Sequence, residues 1–364
     1  MPGARVVITT RTRLDPAVFD LPVEKMRAGW YTDAYFNHTR AALLEDGRHP
    51  QVLMQVFQKK HAYLGGMDEA IAILKLCTEG FERLGVHALY DGDELEPYET
   101  VMTIEGDYTT FAHLETVYLG VLARRSLITT NTVNVLRAAN GKPVIFMPAR
   151  HDHHRVQTGD GYAAYVAGQV VGAEIGVTTD EQASWWGGRG LGTVPHALIA
   201  SYDGDTVGAA LKFAEWAPSD MRITVLVDFE NDSVRTALDV AAALGPRLWG
   251  VRLDTSESLV DRSLWGQLGD FTPTGVNERL VRNLRDALDA AGHDGVRIVV
   301  SGGFTIEKIE RFERAGVPVD AYGVGSSLYA AHLPFTADIV QVDGQPQAKA
   351  GREARANPKL ERVK

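Results

Sequence analysis

Three observations on this chain predict an α/β fold in which parallel strands and returning helices close into a barrel. Four apolar runs stand at 223–228, 248–254, 296–303 and 321–326. Continuous apolar runs of this length suit parallel strands buried on both faces. Helical patterns lie between most of them, which gives the repeated strand, turn and helix of an α/β barrel. Each run also ends on residues suited to chemistry: Asp228, Arg252 with Asp254, Ser301 before Gly302 and Gly303, and Ser326 after Gly325. In a parallel arrangement these ends converge on one rim, and the C-terminal rim of such a barrel is where active sites are built.

The composition sets outer bounds. The chain has 364 residues, 45% of them hydrophobic and 23% charged, enough for one large core and a smaller domain. The formal net charge of −10 argues against a nucleic-acid surface, while leaving room for local basic pockets that take phosphate. No run of eighteen apolar residues occurs, and residues 1–13 carry no signal-peptide core, so a cytoplasmic protein without membrane contact is expected. Cys77 is the single cysteine and has no internal partner, which fits a reducing compartment.

In chain order, residues 1–142 are expected to form an N-terminal α/β domain. Helical patterns stand at 35–44, 68–84 and 111–126, and short strands at 52–57 and 100–104. Ala70, Ile71, Leu74, Cys77 and Phe81 follow helical spacing and should face a core, with Gly85 as the stop. Residues 143–333 should form the barrel. Within it Val276, Leu280, Leu284 and Leu288 step by four along one helical face that ends before Gly292. Thr305 opens another helix, which Gly316 closes. From 334 to 364 an Asp343-Gly344 pair between extended segments signals a hairpin, and this tail should pack back on the first domain. The last residues are charged and are expected to fray.

Several residues invite a chemical reading. The turns Ser301-Gly302-Gly303 and Gly323-Val324-Gly325-Ser326 follow consecutive strands. Glycines let the backbone approach an anion closely, and amides at a helix start favour phosphate. Asp228 and Asp254 suit magnesium, ribose hydroxyls or a developing cation, although Asp254 before Thr255-Ser256 also suits a helix cap. Arg252 shares a strand face with Asp254, which fits a structural ion pair equally well. His196 follows a glycine-rich turn and suits a nucleophile or a phosphate partner; a buried histidine bonded to backbone is the plain alternative. The run Arg150-His151-Asp152-His153-His154-Arg155 fits a cationic loop for pyrophosphate or a carboxylate better than zinc, because adjacent residues rarely reach one tetrahedral ion. Trp185 and Trp186 read as packing residues.

Taken in order, these segments resemble the nicotinate phosphoribosyltransferase family. Tyr31-Thr32-Asp33-Ala34-Tyr35 resembles its N-terminal signature. Arg150 stands where the family has an arginine pair, and Ala164-Tyr165-Val166-Ala167-Gly168 resembles the segment that follows. Gly192-Thr193-Val194-Pro195-His196 resembles the histidine motif, and Val251-Arg252-Leu253-Asp254-Thr255-Ser256 the "RLDSGD"-like motif. Ser301-Gly302-Gly303 and Gly323 to Leu328 resemble the phosphate turns, and Phe335-Thr336-Ala337-Asp338 with Asp343-Gly344 and Lys349 the C-terminal return. The chain departs from the family at His151, which replaces the second arginine, at Thr255-Ser256-Glu257, which replaces Ser-Gly-Asp, and at Ser326, which replaces a threonine.

The resemblance implies a type II phosphoribosyltransferase: an α/β barrel beside an open-faced α/β sandwich domain, with active sites shared in a homodimer or higher oligomer. It implies transfer of phosphoribose from phosphoribosyl pyrophosphate to nicotinate, with Mg2+, and with ATP as co-substrate phosphorylating His196. Tyr35, Thr193 and Arg252 would contact nicotinate. His196, Asp228 and Asp254 would carry the chemistry, with Asp228 and Asp254 as candidate Mg2+ ligands. Arg150, Arg155, Ser301, Gly302, Gly303, Gly325 and Ser326 would bind the phosphates. Quinolinate or nicotinamide as substrate, and a non-catalytic mononucleotide sensor, are the alternatives.

Overall fold

A computed structural model describes residues 11–267 and 269–364. The signal-peptide reading falls largely on residues 1–10, outside that span. The chain divides into two compact units, one made of residues 1–130 and 331–364 and the other of residues 131–330.

The first unit is built on an antiparallel sheet. Gln51–Gln58 pairs with Thr100–Asp107 on one side and Phe335–Val342 on the other. Gly85–Ala88 extends the sheet beyond Thr100–Asp107, and Glu361–Arg362 forms its edge. Alternation decides which face is covered: Val52, Met54 and Val56 join Val86, Ala88, Met102 and Ile104 in a core with helix Met67–Cys77. The hairpin signal is met as expected, with Asp343 and Gly344 both at positive φ (51° and 76°), the pair of values a two-residue turn of this hand requires.

Three expectations for this unit change. The helix foreseen over 68–84 ends at Cys77, because Thr78 is extended and Gly80 turns left-handed. Phe81 then sits in a short 3-10 turn, and Gly85 opens a strand instead of stopping a helix. The helix foreseen over 111–126 starts at Glu115, after two 3-10 turns, and runs to Ala138. The C-terminal residues are pinned: Asn357 Nδ2 donates to the Thr100 carbonyl at 2.8 Å, the Val363 amide to that of Val86 at 2.9 Å, and the Val363 side chain is buried.

The second unit holds six parallel strands: Ile175–Val177, Val144–Phe146, Ala321–Val324, Arg297–Val300, Leu248–Leu253 and Ile223–Leu226, in that spatial order. Ile223–Leu226 and Ala321–Val324 are buried at every position, as strands covered on both faces must be. The segment 191–194 joins the two edges. The Leu191 amide donates to the Val177 carbonyl (2.7 Å), the Val194 amide to that of Thr224 (2.8 Å), and Val194 bridges Val225 in parallel sense. The sheet thus curls back on itself.

Helices return the chain outside these strands. Asn277 caps Glu278–Ala290, whose Leu280, Val281, Leu284 and Leu288 are buried, while Val276 precedes the helix. Thr305 caps Ile306–Arg314 by accepting the Lys308 amide, as its place in the sequence predicts.

Candidate active site

Strand register decides which residues share the rim. Leu226 lies opposite Arg252, and Leu253 opposite Val300. One or two residues further along, Asp228, Asp254 and Ser301 therefore stand at a common height. Val299 opposite Ala321 brings Gly323 beside Ser301 in the same way.

A cleft of ≈ 740 Å³ opens at this rim. Arg150, His151 and Thr178 form one wall; Arg252, Asp254 and Glu257 another; the turns at 301–305 and 325–327 close it. Buried Ser301 is the hinge of its polar network. Its Oγ accepts the Arg252 Nε proton at 2.7 Å, and its own proton faces both Asp254 Oδ1 (2.7 Å) and the Leu253 carbonyl (3.1 Å). Arg252 Nη2 also lies 3.4 Å from Asp254 Oδ2. The guanidinium is mostly buried, so Asp254 offsets a charge that would otherwise be costly there. A guanidinium carries five donors in a flat fork, and the Nη1 edge has no partner among the described residues. That edge suits a planar carboxylate.

The anion cup is built from backbone. Gly302 and Gly303 are both left-handed, with φ +84° and +64°, a tandem conformation that side-chain-bearing residues resist. The amides of Gly302, Gly303 and Phe304 meet no acceptor among the described residues. Ser327 Oγ donates to the Phe304 carbonyl at 2.9 Å, which ties the second turn to the first. Behind them Lys308 Nζ donates to the Gly302 carbonyl at 3.2 Å and lies 4.3 Å from the Phe304 ring centroid. Burial pushes the Lys308 amine down, partly offset by the charge of Glu257.

His196 and Asp228 form a separate pair. The Val194–Val225 bridge sets their elements side by side, and His196 Nε2 lies 2.9 Å from Asp228 Oδ1. Asp228 is nearly buried, whereas the His196 side chain is 42% exposed. The bond to Asp228 raises the imidazole pKa against an opposing desolvation, and the charge of Asp254 adds to the rise while Arg252 reduces it.

Of the residues singled out from the sequence, Arg150, Arg252, Asp254, Ser301, Gly302, Gly303, Gly325 and Ser326 line the cleft. Thr193 precedes the Val194 bridge, and Arg155 stands on the exposed 3-10 turn His154–Val156; neither lines it. Tyr35 belongs to the first unit, on the helix Ala34–Glu45, and is exposed. Trp186 stacks on Tyr165 at 4.9 Å, in keeping with a packing role. Sequence reasoning passed over Lys308, Ser327 and Thr178, and treated Glu257 only as a departure from the family pattern. Lys308 had one signal, its place in the first turn of a helix that follows two glycines.

No group of three or more potential metal-binding side chains stands together among the described residues. Both Asp254 oxygens face Ser301 or Arg252, and Asp228 Oδ1 faces His196. This donor set does not fit a resident magnesium ion.

Comparison with known proteins bears on this geometry. Residues 33–126 match the family model for the N-terminal domain of quinolinate phosphoribosyl transferase. A nicotinate phosphoribosyltransferase of Mycobacterium tuberculosis is 30% identical over 71% of this chain and 54% of its own length. The solved structure of nicotinate-nucleotide pyrophosphorylase from Pyrococcus furiosus is 31% identical, with a TM-score of 0.78 over 99% of this chain and 86% of that one. The chain belongs to the family of this nicotinate-nucleotide pyrophosphorylase. Its fold class is that of the type II phosphoribosyltransferases, a parallel α/β barrel unit and a unit built on an antiparallel sheet. Human nicotinic acid phosphoribosyltransferase shares the fold at 17% identity and a TM-score of 0.68. The chain spans about half the length of the curated nicotinate phosphoribosyltransferases it matches.

Proposed function

We propose that this protein is a nicotinate phosphoribosyltransferase, forming nicotinate mononucleotide and pyrophosphate from nicotinate and phosphoribosyl pyrophosphate in NAD biosynthesis and salvage. One observation carries the reading: the Arg252 fork, braced by Ser301 and Asp254, shares a single cleft with the Gly302–Gly303 and Gly325 turns. A carboxylate grip beside a phosphate cup is what joining a pyridine acid to a sugar phosphate demands.

In this reaction the pyridine nitrogen forms a bond to C1 of the ribose as the bond from C1 to the pyrophosphate oxygen breaks. Positive charge builds on the sugar and negative charge on the leaving group. Catalysis then rests on alignment and charge stabilisation. Asp254 and Asp228 would face the cationic sugar or its hydroxyls, and Arg150, with Arg155, would take the pyrophosphate. Magnesium would enter bound chiefly to phosphate oxygens of the substrate, as this ion usually does. ATP coupling through His196 belongs to the same proposal. With Nε2 committed to Asp228, Nδ1 is the nitrogen open to attack the γ-phosphorus of ATP; an N–P bond would form as the P–O bond to ADP breaks. A homodimer or higher oligomer with shared active sites, in which Tyr35 and Thr193 contact nicotinate, completes the proposal, together with a cytoplasmic location. No described helix is long and apolar enough to cross a membrane.

Quinolinate is the second reading, favoured by the family model matched over residues 33–126. The cleft weighs against it. The acids Asp254 and Glu257 face the basic Arg150 and Arg252, a poor balance for a dicarboxylate together with a phosphorylated sugar. A neutral amide such as nicotinamide would leave the Arg252 fork without a charged ligand. The test is turnover of nicotinate, quinolinate and nicotinamide with phosphoribosyl pyrophosphate and Mg2+, with and without ATP. Release of nicotinate mononucleotide from nicotinate alone is expected. Turnover of quinolinate with loss of carbon dioxide, or none with any substrate, would overturn the reading.

A further inference from the structure

The Gly302–Gly303 cup has a side chain at its opening. A Cβ placed on Gly303 would run into Glu257 Oε1 and lie 2.9 Å from Glu257 Cδ, so the carboxylate caps the turn from the cleft side. The backbone of Glu257 is held from behind: a Cβ on Gly275 would lie 3.2 Å from Glu257 Cα, and the Gly275 amide donates to the Leu259 carbonyl at 2.8 Å. Glu257 is exposed and forms no ion pair among the described residues. On the far side of the same turn stands Lys308, bonded to the Gly302 carbonyl. An acid thus stands over the Cα of Gly303, in a turn whose amides meet no acceptor among the described residues and which has a lysine behind it, surroundings that suit an incoming anion.

We propose that Glu257 is a specificity residue for the sugar substrate, its carboxylate occupying the place of the 5-phosphate at the Gly302–Gly303 turn and having to leave before that phosphate enters. This rests on the phosphoribosyltransferase reading of the cleft and extends it. A carboxylate and a phosphate cannot both stand against one turn, because like charges at contact repel. Glu257 therefore weakens binding of simple phosphate monoesters. A substrate that also engages the cleft through a pyrophosphate group and a bound pyridine acid has further contacts with which to displace it. The residue discriminates between the full substrate and its fragments.

The test is direct binding by titration calorimetry, without any pyridine, to the full chain and its Glu257→Gln and Glu257→Ala variants. Ribose 5-phosphate, inorganic phosphate and inorganic pyrophosphate are the probes, and circular dichroism checks the fold of each protein. Both variants are expected to bind ribose 5-phosphate and inorganic phosphate about ten-fold more tightly than the parent, roughly 1.4 kcal/mol. Unchanged or weaker binding in the variants overturns the proposal, as does a gain confined to pyrophosphate or no binding by any form. Because no probe contains a pyridine, these outcomes are separate from the turnover assay. Nicotinate turnover without the affinity gain would sink the role of Glu257 alone.

Discussion

Asp228 Oδ1 lies 2.9 Å from His196 Nε2, and the carboxylate is nearly buried while the ring is open on its other side. The pairing fixes which ring nitrogen faces outward and holds the proton on the ring above its ordinary pKa. The imidazolium is favoured below the raised value, and the neutral, nucleophilic ring gains as pH rises through it. Asp228→Asn removes the largest cause of the rise. The His196 titration, followed by NMR of the ring protons, should move to lower pH, and the ATP-dependent part of the activity should reach its plateau at lower pH with it. An unmoved titration would remove Asp228 from the role of orienting partner.

Arg252 gives a prediction that separates two substrates. Arg252→Ala takes away the proposed partner of the pyridine carboxylate and leaves the glycine turns intact. A hydrogen bond to a charged group contributes about 1.5–3 kcal/mol, so the KM for nicotinate should rise roughly 10- to 100-fold. That for phosphoribosyl pyrophosphate should change little. Arg252→Lys keeps the charge without the fork and should fall between. Steady-state kinetics against each substrate decides the matter; equal losses for both refute the carboxylate role.

The two glycines of the cup should lose about equal stability to a methyl group. Both lie at positive φ, where a non-glycine residue costs about 1–2 kcal/mol. At Gly302 the added Cβ meets nothing nearer than Asp254 Oδ1 at 3.5 Å, an ordinary contact. At Gly303 it collides with the Glu257 carboxylate. Gly303→Ala should therefore displace the Glu257 side chain, a cheap shift for the far end of an exposed side chain, and lower Tm by about as much as Gly302→Ala. Thermal melts of the two variants test this; a clearly larger Tm loss for Gly303→Ala would mean that the Glu257 carboxylate cannot move aside.

The parallel strands were legible because each is an apolar run bounded by turn residues, and burial on both faces leaves such a run few alternatives. Their rim was legible because Asp254, Ser301 and Gly325 sit within two residues of a strand end. What escaped had no local signature. The helix that ends at Cys77 was read through to 84 because Phe81 keeps helical spacing, and only the extended Thr78 and left-handed Gly80 break it. Glu257, from a loop, and Lys308, from the first turn of a helix, converge on the Gly302–Gly303 turn, and register and packing bring them together only after folding. The C-terminal residues look like a charged, frayed tail, yet Val363 pairs with Val86 across a separation that composition cannot reveal.

Glu115 offers a prediction in the first unit, independent of any substrate. It is the first residue of the helix Glu115–Ala138, a place where the helix dipole favours a negative charge. Burial opposes the charge and prevails: desolvation, then the nearby charges of Asp338 and Asp33, push the carboxyl from its usual 4.5 up to about 8. The folded state thus holds this proton more tightly than the unfolded chain. The stability it contributes is complete below about pH 4.5 and is lost as pH rises through about 8. Glu115→Gln keeps the shape without the titration. The variant and parent should melt close together near pH 5, and by pH 8.5 the variant should be the more stable by on the order of 4 kcal/mol, or about 10 °C in Tm. The other titrating groups are common to both proteins and cancel in the difference, so the widening of the gap reports on this carboxyl alone. A gap that stays constant from pH 5 to 8.5 would mean that Glu115 is ionised throughout and that the helix dipole outweighs burial.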